Sequence, residues 1–287
     1  MTRPTILLTG ATGQIGYELK RLLPRHGEVQ ALDRSQLDLA DVDAIRATLR
    51  ALRPQLVVNA AAYTAVDQAE RESVAAEAVN ARAPGVLAEE AKRLGAVLIH
   101  YSTDYVFDGS AEAPYAESAP TSPLNVYGVS KLHGEQAIAE SGASAIVLRT
   151  SWVYAARGRN FFLTIRKLAA ERDELRIVAD QRGVPNWSRA LAAATSTLVG
   201  RGLAELASRS GLYHLSGHGE TSWFGFARAI VGDVDRPRVT PITSAEYPTA
   251  ARRPPYTVLA TAKFERTFGV SLPEWREMLR DCLAEAG

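Results

Sequence analysis

Short, mostly apolar runs recur along the chain, each followed by a longer segment whose apolar residues return every three or four positions. The runs are "TILLTG" (5–10), "VQALD" (29–33), "LVVNA" (56–60), "VLIHYS" (97–102) and "AIVLRT" (145–150). Such runs mark strands covered on both faces, as in parallel sheets. Between them, "GYELKRLLPRHG", "DVDAIRATLRALRP", "ESVAAEAVNARAPGVLAEEAKRLG" and "NVYGVSKLHGEQAIAESG" carry helical spacing. Strand–helix alternation predicts βαβ units and an α/β fold with a doubly wound parallel sheet. Beyond about residue 150 the alternation loosens. This predicts one domain over 1–150 and, over 151–287, mainly a smaller C-terminal lobe. Two later strand-like segments, "LRIVAD" (175–180) and "LYHLSG" (212–217), are expected to return to the main sheet, and the Pro- and Gly-rich stretch 233–256 to form surface loops.

The first strand runs into "TGATGQIG", which places Gly10, Gly13 and Gly16 before a helix. Glycines there allow a tight turn and bring backbone N–H groups close to a pyrophosphate at the helix N-terminus. Asp33 ends the next strand, about where a ribose-binding acid belongs. The sheet is therefore read as Rossmann-type and NAD(P)-binding. Arg34 follows Asp33, so a free 2′-hydroxyl (NADH) and a 2′-phosphate (NADPH) both stay open. Asp38 and Leu39 fall where a loop flanks an adenine, or where the next helix is capped.

The fourth strand ends in "HYSTDYVF". Ligands lie at the carboxyl ends of strands in open α/β sheets, which puts Ser102, Thr103 and Asp104 at a site mouth. Tyr127 and Lys131 in "NVYGVSKLHGE" share a helix face at spacing i, i+4. A phenol needs its pKa lowered to exchange protons near neutrality, and a neighbouring ammonium does that. Thr103 is then placed to hydrogen-bond a carbonyl oxygen as charge develops on it.

Composition narrows the classes further. Apolar residues make up 46% and charged residues 23%, with a formal net charge of +1. There is no basic, aromatic-interleaved run, so nucleic acid is not an expected partner. Nor is a membrane, since no apolar stretch is long enough to span one. The single cysteine, Cys282, has no intrachain partner for a disulfide or zinc site. A cytoplasmic setting, with no leader, is the expectation.

"TGATGQIG", "NAAAYTAVDQAE", "YSTDYVFDG", "SPLNVYGVSKLHGE", "RTSWVYA" and "GLYHLSG" together resemble the extended short-chain dehydrogenase/reductases, and within them the dTDP-4-dehydrorhamnose reductases. The likeness runs from the first strand to about Leu272. It implies NADPH- or NADH-dependent reduction of the C4 ketone of a dTDP-sugar, in the last step of dTDP-L-rhamnose synthesis for bacterial glycans such as lipopolysaccharide. By motif, Tyr127 would donate the proton, Lys131 would hold the nicotinamide ribose and tune Tyr127, and Thr103 would bind the substrate oxygen. Gly13, Gln14 and Ile15 would lie on the cofactor loop, Asp33, Asp38 and Leu39 on the adenosine half, and Ala62, Tyr63 and Thr64 beside the cofactor. Asp104, Tyr105 and Trp152 would line the sugar-nucleotide pocket, Trp152 by stacking on a sugar or base. Arg253 would meet a phosphate.

Two departures from the family pattern stand out. Some members bridge a dimer through Mg²⁺ held by two glutamates. Glu18 matches the first, but Arg189 stands at the second. No metal site, and a monomer or weak homodimer without a metal bridge, are therefore expected. "RRPPYTVL" also replaces the family's usual asparagine and serine. The alternatives are a sugar-nucleotide dehydratase or epimerase, and a non-catalytic regulatory subunit of the same fold. The dehydratase is disfavoured by Tyr105, which stands where such enzymes need a glutamate. The regulatory subunit is disfavoured by the presence of Thr103, Tyr127 and Lys131 together.

Overall fold

The computed structural model describes residues 3–233 and 236–286. Met1, Thr2 and Gly287, at the ends of the two expected domains, and Val234 and Asp235, within the expected loop stretch, lie outside the described residues. Six strands form the central sheet: β1 (Thr5–Thr9), β2 (Glu28–Leu32), β3 (Leu56–Asn59), β4 (Val97–Thr103), β5 (Ala145–Thr150) and, much later in sequence, β7 (Gly211–His214). Their order is β7-β5-β4-β3-β1-β2, and every pairing is parallel. Every residue of β3, β4 and β5 is buried, which is why their sequences show no alternation.

Helices cover both faces. On one side α2 (Val42–Leu52) and α3 (Ala83–Leu94) seal a core of Leu7, Ile45, Leu49, Val57, Leu87 and Leu98. On the other, α1 (Gln14–Leu22) packs against α6 (Ser188–Gly200) over Leu8, Leu19, Val58 and Leu198. α4 (Val126–Ser141) carries Tyr127 and Lys131 across the sheet against α3. Its N-terminus is set by Asn125, whose side chain accepts from Gly128 N at 2.8 Å, and its end by Gly142 at φ +65°.

The strand-like segment at 175–180 does not join the main sheet. It forms β6 (Glu174–Val178), which pairs in parallel with β8 (Arg238–Ile242) in a separate two-stranded sheet. β6 follows directly on α5 (Phe161–Glu171), and the pair walls the cleft instead of extending the central sheet. β8 also shows that the stretch 233–256 is not loop throughout. The segment at 212–217 contributes β7, the sheet edge beside β5.

Candidate active site

The glycine loop closes on itself. Gly10 has φ +71°, and a Cβ there would sit 2.7 Å from Ala61 backbone atoms; a Cβ on Gly16 would fall 2.0 Å from the Gly10 carbonyl. These two glycines are required by the turn alone. Gly13 differs: its φ is −69°, and an added Cβ would meet only Gly10 O at 3.3 Å. It is the N-cap of α1, yet no side chain caps that helix and no acid lies in its first turn. The first N–H groups of a nine-residue helix thus stay available to an anion. Asp33 and Arg34 follow β2 on the exposed side of this loop. Asp33 Oδ1 accepts from Ser35 N (2.9 Å) and Ser35 Oγ (2.6 Å), which holds the carboxyl below its usual range. Arg34 lies 3.6 Å from Asp38. Asp38 accepts from Ala40 N, Leu39 is buried, and the helix cap proper is Asp41, which accepts from Asp43 N and Ala44 N. A dinucleotide fits this end of the sheet: uncapped helix N-terminus, open Gly13, and acid beside cation at the ribose position.

A cavity of about 800 Å³ opens at the carboxyl ends of β4 and β5. Gln14, Thr64, Thr103, Asp104, Tyr105, Tyr127, Trp152 and Arg253 all line it, so these expected residues converge. Thr103 Oγ1 accepts from Tyr105 N and donates to Asp104 Oδ1, both at 3.1 Å. Asp104 is buried with Oδ2 unpartnered, and burial raises its pKa to about 7. Tyr105 meets the Tyr127 ring edge-on, centroids 6.0 Å apart, and burial pushes its phenol up to about 12. Arg253 donates to Asp67 Oδ2 at 2.6 Å, so the expected phosphate ligand is held by a carboxylate on the cavity wall.

Three expectations change. Lys131 does not face Tyr127; its ammonium position lies beneath the cavity, 2.6 Å from Tyr101 O and 3.0 Å from His100 Nε2. Burial therefore dominates at Tyr127, raising its pKa, with only the neighbouring Thr103 hydroxyl acting to lower it; the lowering expected from Lys131 does not operate in this conformation. Lys131 itself is brought down to about 8 by burial. Trp152, at φ +43°, has one face taken by Trp223, stacked at 3.6 Å with 6° between planes, and Gly183 lies so close that a Cβ there would be 2.6 Å from its Cε2. It lines the cavity, and the stacking position on that face is already filled by Trp223. Tyr63 points away, its hydroxyl 2.8 Å from Glu72; its backbone, with Ala62 and Thr64 on either side, is held by Asn80, which accepts from Tyr63 N and donates to Tyr63 O.

Glu18 is buried and accepts from Arg189 Nε at 3.1 Å, while Arg189 also donates to Glu285 at 2.6 Å. The guanidinium already neutralises the carboxylate, so this pair does not fit a divalent cation. Among the described residues no cluster of three or more potential metal ligands gathers, and no helix is long and apolar enough to cross a membrane.

The sequence reading passes over several working residues. Asn160 donates to Gln14 Oε1 (3.0 Å) and accepts from Leu163 N, linking the glycine loop to the start of α5. Glu135 receives Arg149 through two bonds, 2.8 and 2.6 Å, and Ser102 Oγ beneath the site mouth. His100 did carry a signal, a polar residue inside an apolar strand.

A parallel Rossmann sheet with a glycine loop at one strand end, and Thr, Tyr and a buried Lys at another, defines a short-chain dehydrogenase/reductase of the extended type. The sequence profile of the RmlD substrate binding domain family matches residues 4–287. A dTDP-4-dehydrorhamnose reductase of Burkholderia thailandensis is 46% identical, covering 98% of each chain. That of Escherichia coli K12 is 40% identical, covering 98% of this chain and 97% of its own. The crystal structure of the Bacillus anthracis reductase in complex with NADP superposes with a TM-score of 0.92 at 34% identity, covering 99% of this chain and all of that one. The chain belongs to the dTDP-4-dehydrorhamnose reductase family.

Proposed function

We propose that this protein uses NADPH or NADH to reduce the C4 ketone of dTDP-4-dehydro-β-L-rhamnose, giving dTDP-β-L-rhamnose. The observation that carries this reading is the single cavity in which Gln14 of the glycine loop meets Thr103, Asp104 and Tyr127 at the end of β4. The N-terminus of α1, with Gly13 to Ile15, holds the pyrophosphate, and Asp33 and Arg34 take the ribose. Thr64, with Ala62 beside it, lines the path of the cofactor. The bound nicotinamide supplies the hydride.

Tyr127 donates the proton that the nascent alkoxide needs. Its pKa, raised by burial, keeps the phenol protonated until that moment. Thr103 donates a hydrogen bond to the same oxygen, at the cost of its present bond to Asp104. Asp104 and Tyr105 contact the sugar, Arg253 leaves Asp67 for a phosphate, and the lobe built mainly from 151–287 closes over the nucleotide. Arg189 in place of a metal ligand supports a monomer or weak homodimer, and a cytoplasmic biosynthetic role goes with the reaction.

The test is nicotinamide oxidation on adding dTDP-4-dehydro-β-L-rhamnose, with NADPH and NADH run in parallel. Tyr127→Phe is expected to lose about 10²–10⁴-fold in kcat while cofactor affinity stays within twofold. Near-normal turnover by that variant would refute the assignment. Tight cofactor binding with no turnover by the parent would instead favour another 4-keto sugar nucleotide.

A further inference from the structure

The polar chain under Lys131 fixes a protonation state. Ala61 N–H donates to Asn59 Oδ1 at 3.2 Å, and because a backbone amide nitrogen cannot accept, that atom is the oxygen. The Asn59 amide nitrogen therefore faces His100 Nδ1, at 3.0 Å. An –NH₂ group only donates, so Nδ1 accepts, and a neutral imidazole must then carry its proton on Nε2. His100 is fully buried, and burial holds its pKa well below the ordinary histidine range, so the ring is neutral. Its Nε2–H points at Lys131 Nζ, 3.0 Å away. An ammonium has three N–H donors and no lone pair, and would set N–H against N–H. A free amine meets both partners at once, accepting from His100 and donating to Tyr101 O at 2.6 Å.

We propose that His100 is a positioning residue that seats Lys131 as the free amine beneath the cavity, and that uptake of a proton from solvent releases Lys131 toward Tyr127. The proposal rests on the reading of Tyr127 and Lys131 as the catalytic pair and says how the second member is stored. His100 keeps its Nε2 proton throughout, because Asn59 blocks the other tautomer. Once charged, Lys131 cannot keep the His100 contact, and the helix face it shares with Tyr127 is the direction open to it. Tyr101 O accepts from the amine and the ammonium alike, so the contact that protonation changes is the one to His100. Glu135, one turn on, favours the charged form, but its carboxylate is already matched by Arg149 of β5 and by Ser102. Tyr127, on the cavity side, stays neutral, whereas Asp104 on the same side is ionised where Lys131 is the free amine and favours the charged Lys131 on the side of Tyr127.

The chain has five lysines and five histidines, few enough for selective labelling to resolve each. In unliganded protein carrying ¹³Cε-lysine and ring-¹⁵N-histidine, Lys131, assigned through Lys131→Met, is expected to titrate about two units below the other four. His100 is expected as the Nε2–H tautomer on both sides of that midpoint. In His100→Gln, whose amide oxygen can accept from an ammonium, the Lys131 midpoint should rise at least tenfold in proton affinity. An Nδ1–H tautomer, a Lys131 that stays charged up to pH 10, or a midpoint unmoved in His100→Gln would each overturn the proposal. If His100→Gln fails to fold, the two parent spectra decide alone. Near-normal turnover by Lys131→Met would sink the catalytic reading instead, whatever the midpoint.

Discussion

Glu135→Gln tests how far the buried ion pair under β4 and β5 carries the site. Glu135 and Arg149 are almost fully enclosed, with side chains 9% and 3% exposed. Their bonds are bidentate, and Ser102 Oγ takes a further lone pair. The glutamine keeps shape and one acceptor but leaves the guanidinium uncompensated in a dry interior. Removing one partner of such a pair costs about 3–5 kcal/mol, a large share of the roughly 5–15 kcal/mol that holds a domain folded. In a chain of this size each kcal/mol moves Tm by about 2 °C, so the melt should fall by about 6–10 °C. The double variant Glu135→Leu/Arg149→Met removes both charges and should recover most of that loss, less about 1 kcal/mol for the unpaired Ser102 hydroxyl. Thermal unfolding of parent, single and double variants measures this directly. A fall of less than 2 °C in Glu135→Gln, or a double variant no better than the single, would show that water reaches the pair and that the interior there is not dry.

Gly16→Ala and Gly13→Ala should separate turn from ligand: the first puts a Cβ 2.0 Å from Gly10 O and should unfold or distort the loop, whereas the second has 3.3 Å and should keep its Tm yet bind NADPH at least tenfold more weakly, by fluorescence titration. Asp104 has a folded pKa of about 7, above its unfolded value, so the stability it contributes is complete in acid and drains away as pH rises toward 7. Relative to the parent, Asp104→Asn should therefore gain about 2–3 kcal/mol between pH 5 and pH 8 in denaturant titrations, and a flat difference would refute the burial assigned to that carboxyl. Arg253→Met should raise KM for the sugar nucleotide at least tenfold with kcat within threefold; a loss confined to kcat would place Arg253 in the chemistry rather than in binding.

Much of this was legible in the sequence because it was written in period and spacing. The five leading strands are runs with no polar alternation, and Gly10 and Gly16 mark a turn whose geometry admits little else. The rule that ligands lie at strand ends pointed to Thr103 and Asp104, and the helix pairing with Lys131 to Tyr127; all three line the cavity. What failed was direction. Spacing i, i+4 puts Tyr127 and Lys131 on one face, but a long side chain goes where its partners are, and those are His100 and Tyr101 on a strand thirty residues earlier. Trp152 is a similar case: its neighbour Trp223 lies 71 positions on, beyond the reach of any local pattern. The segment at 175–180 reads as a strand but does not say which sheet takes it, since pairing with β8 depends on a second segment hidden among prolines.

Strand β7 bears on anyone who would cut and recombine this chain. The first 150 residues supply the glycine loop, Tyr127 and Lys131, yet the partner of β5 arrives only at Gly211–His214. A chimera joined at residue 150 to a foreign lobe would leave β5, an apolar strand buried along its whole length, as a bare edge open to pairing with other molecules. A graft of new sugar specificity therefore has to keep the β7 segment with the front half and exchange only the stretches between, such as α5 with β6. The two parts of the chain share one sheet, so they cannot be traded at the seam its sequence suggests.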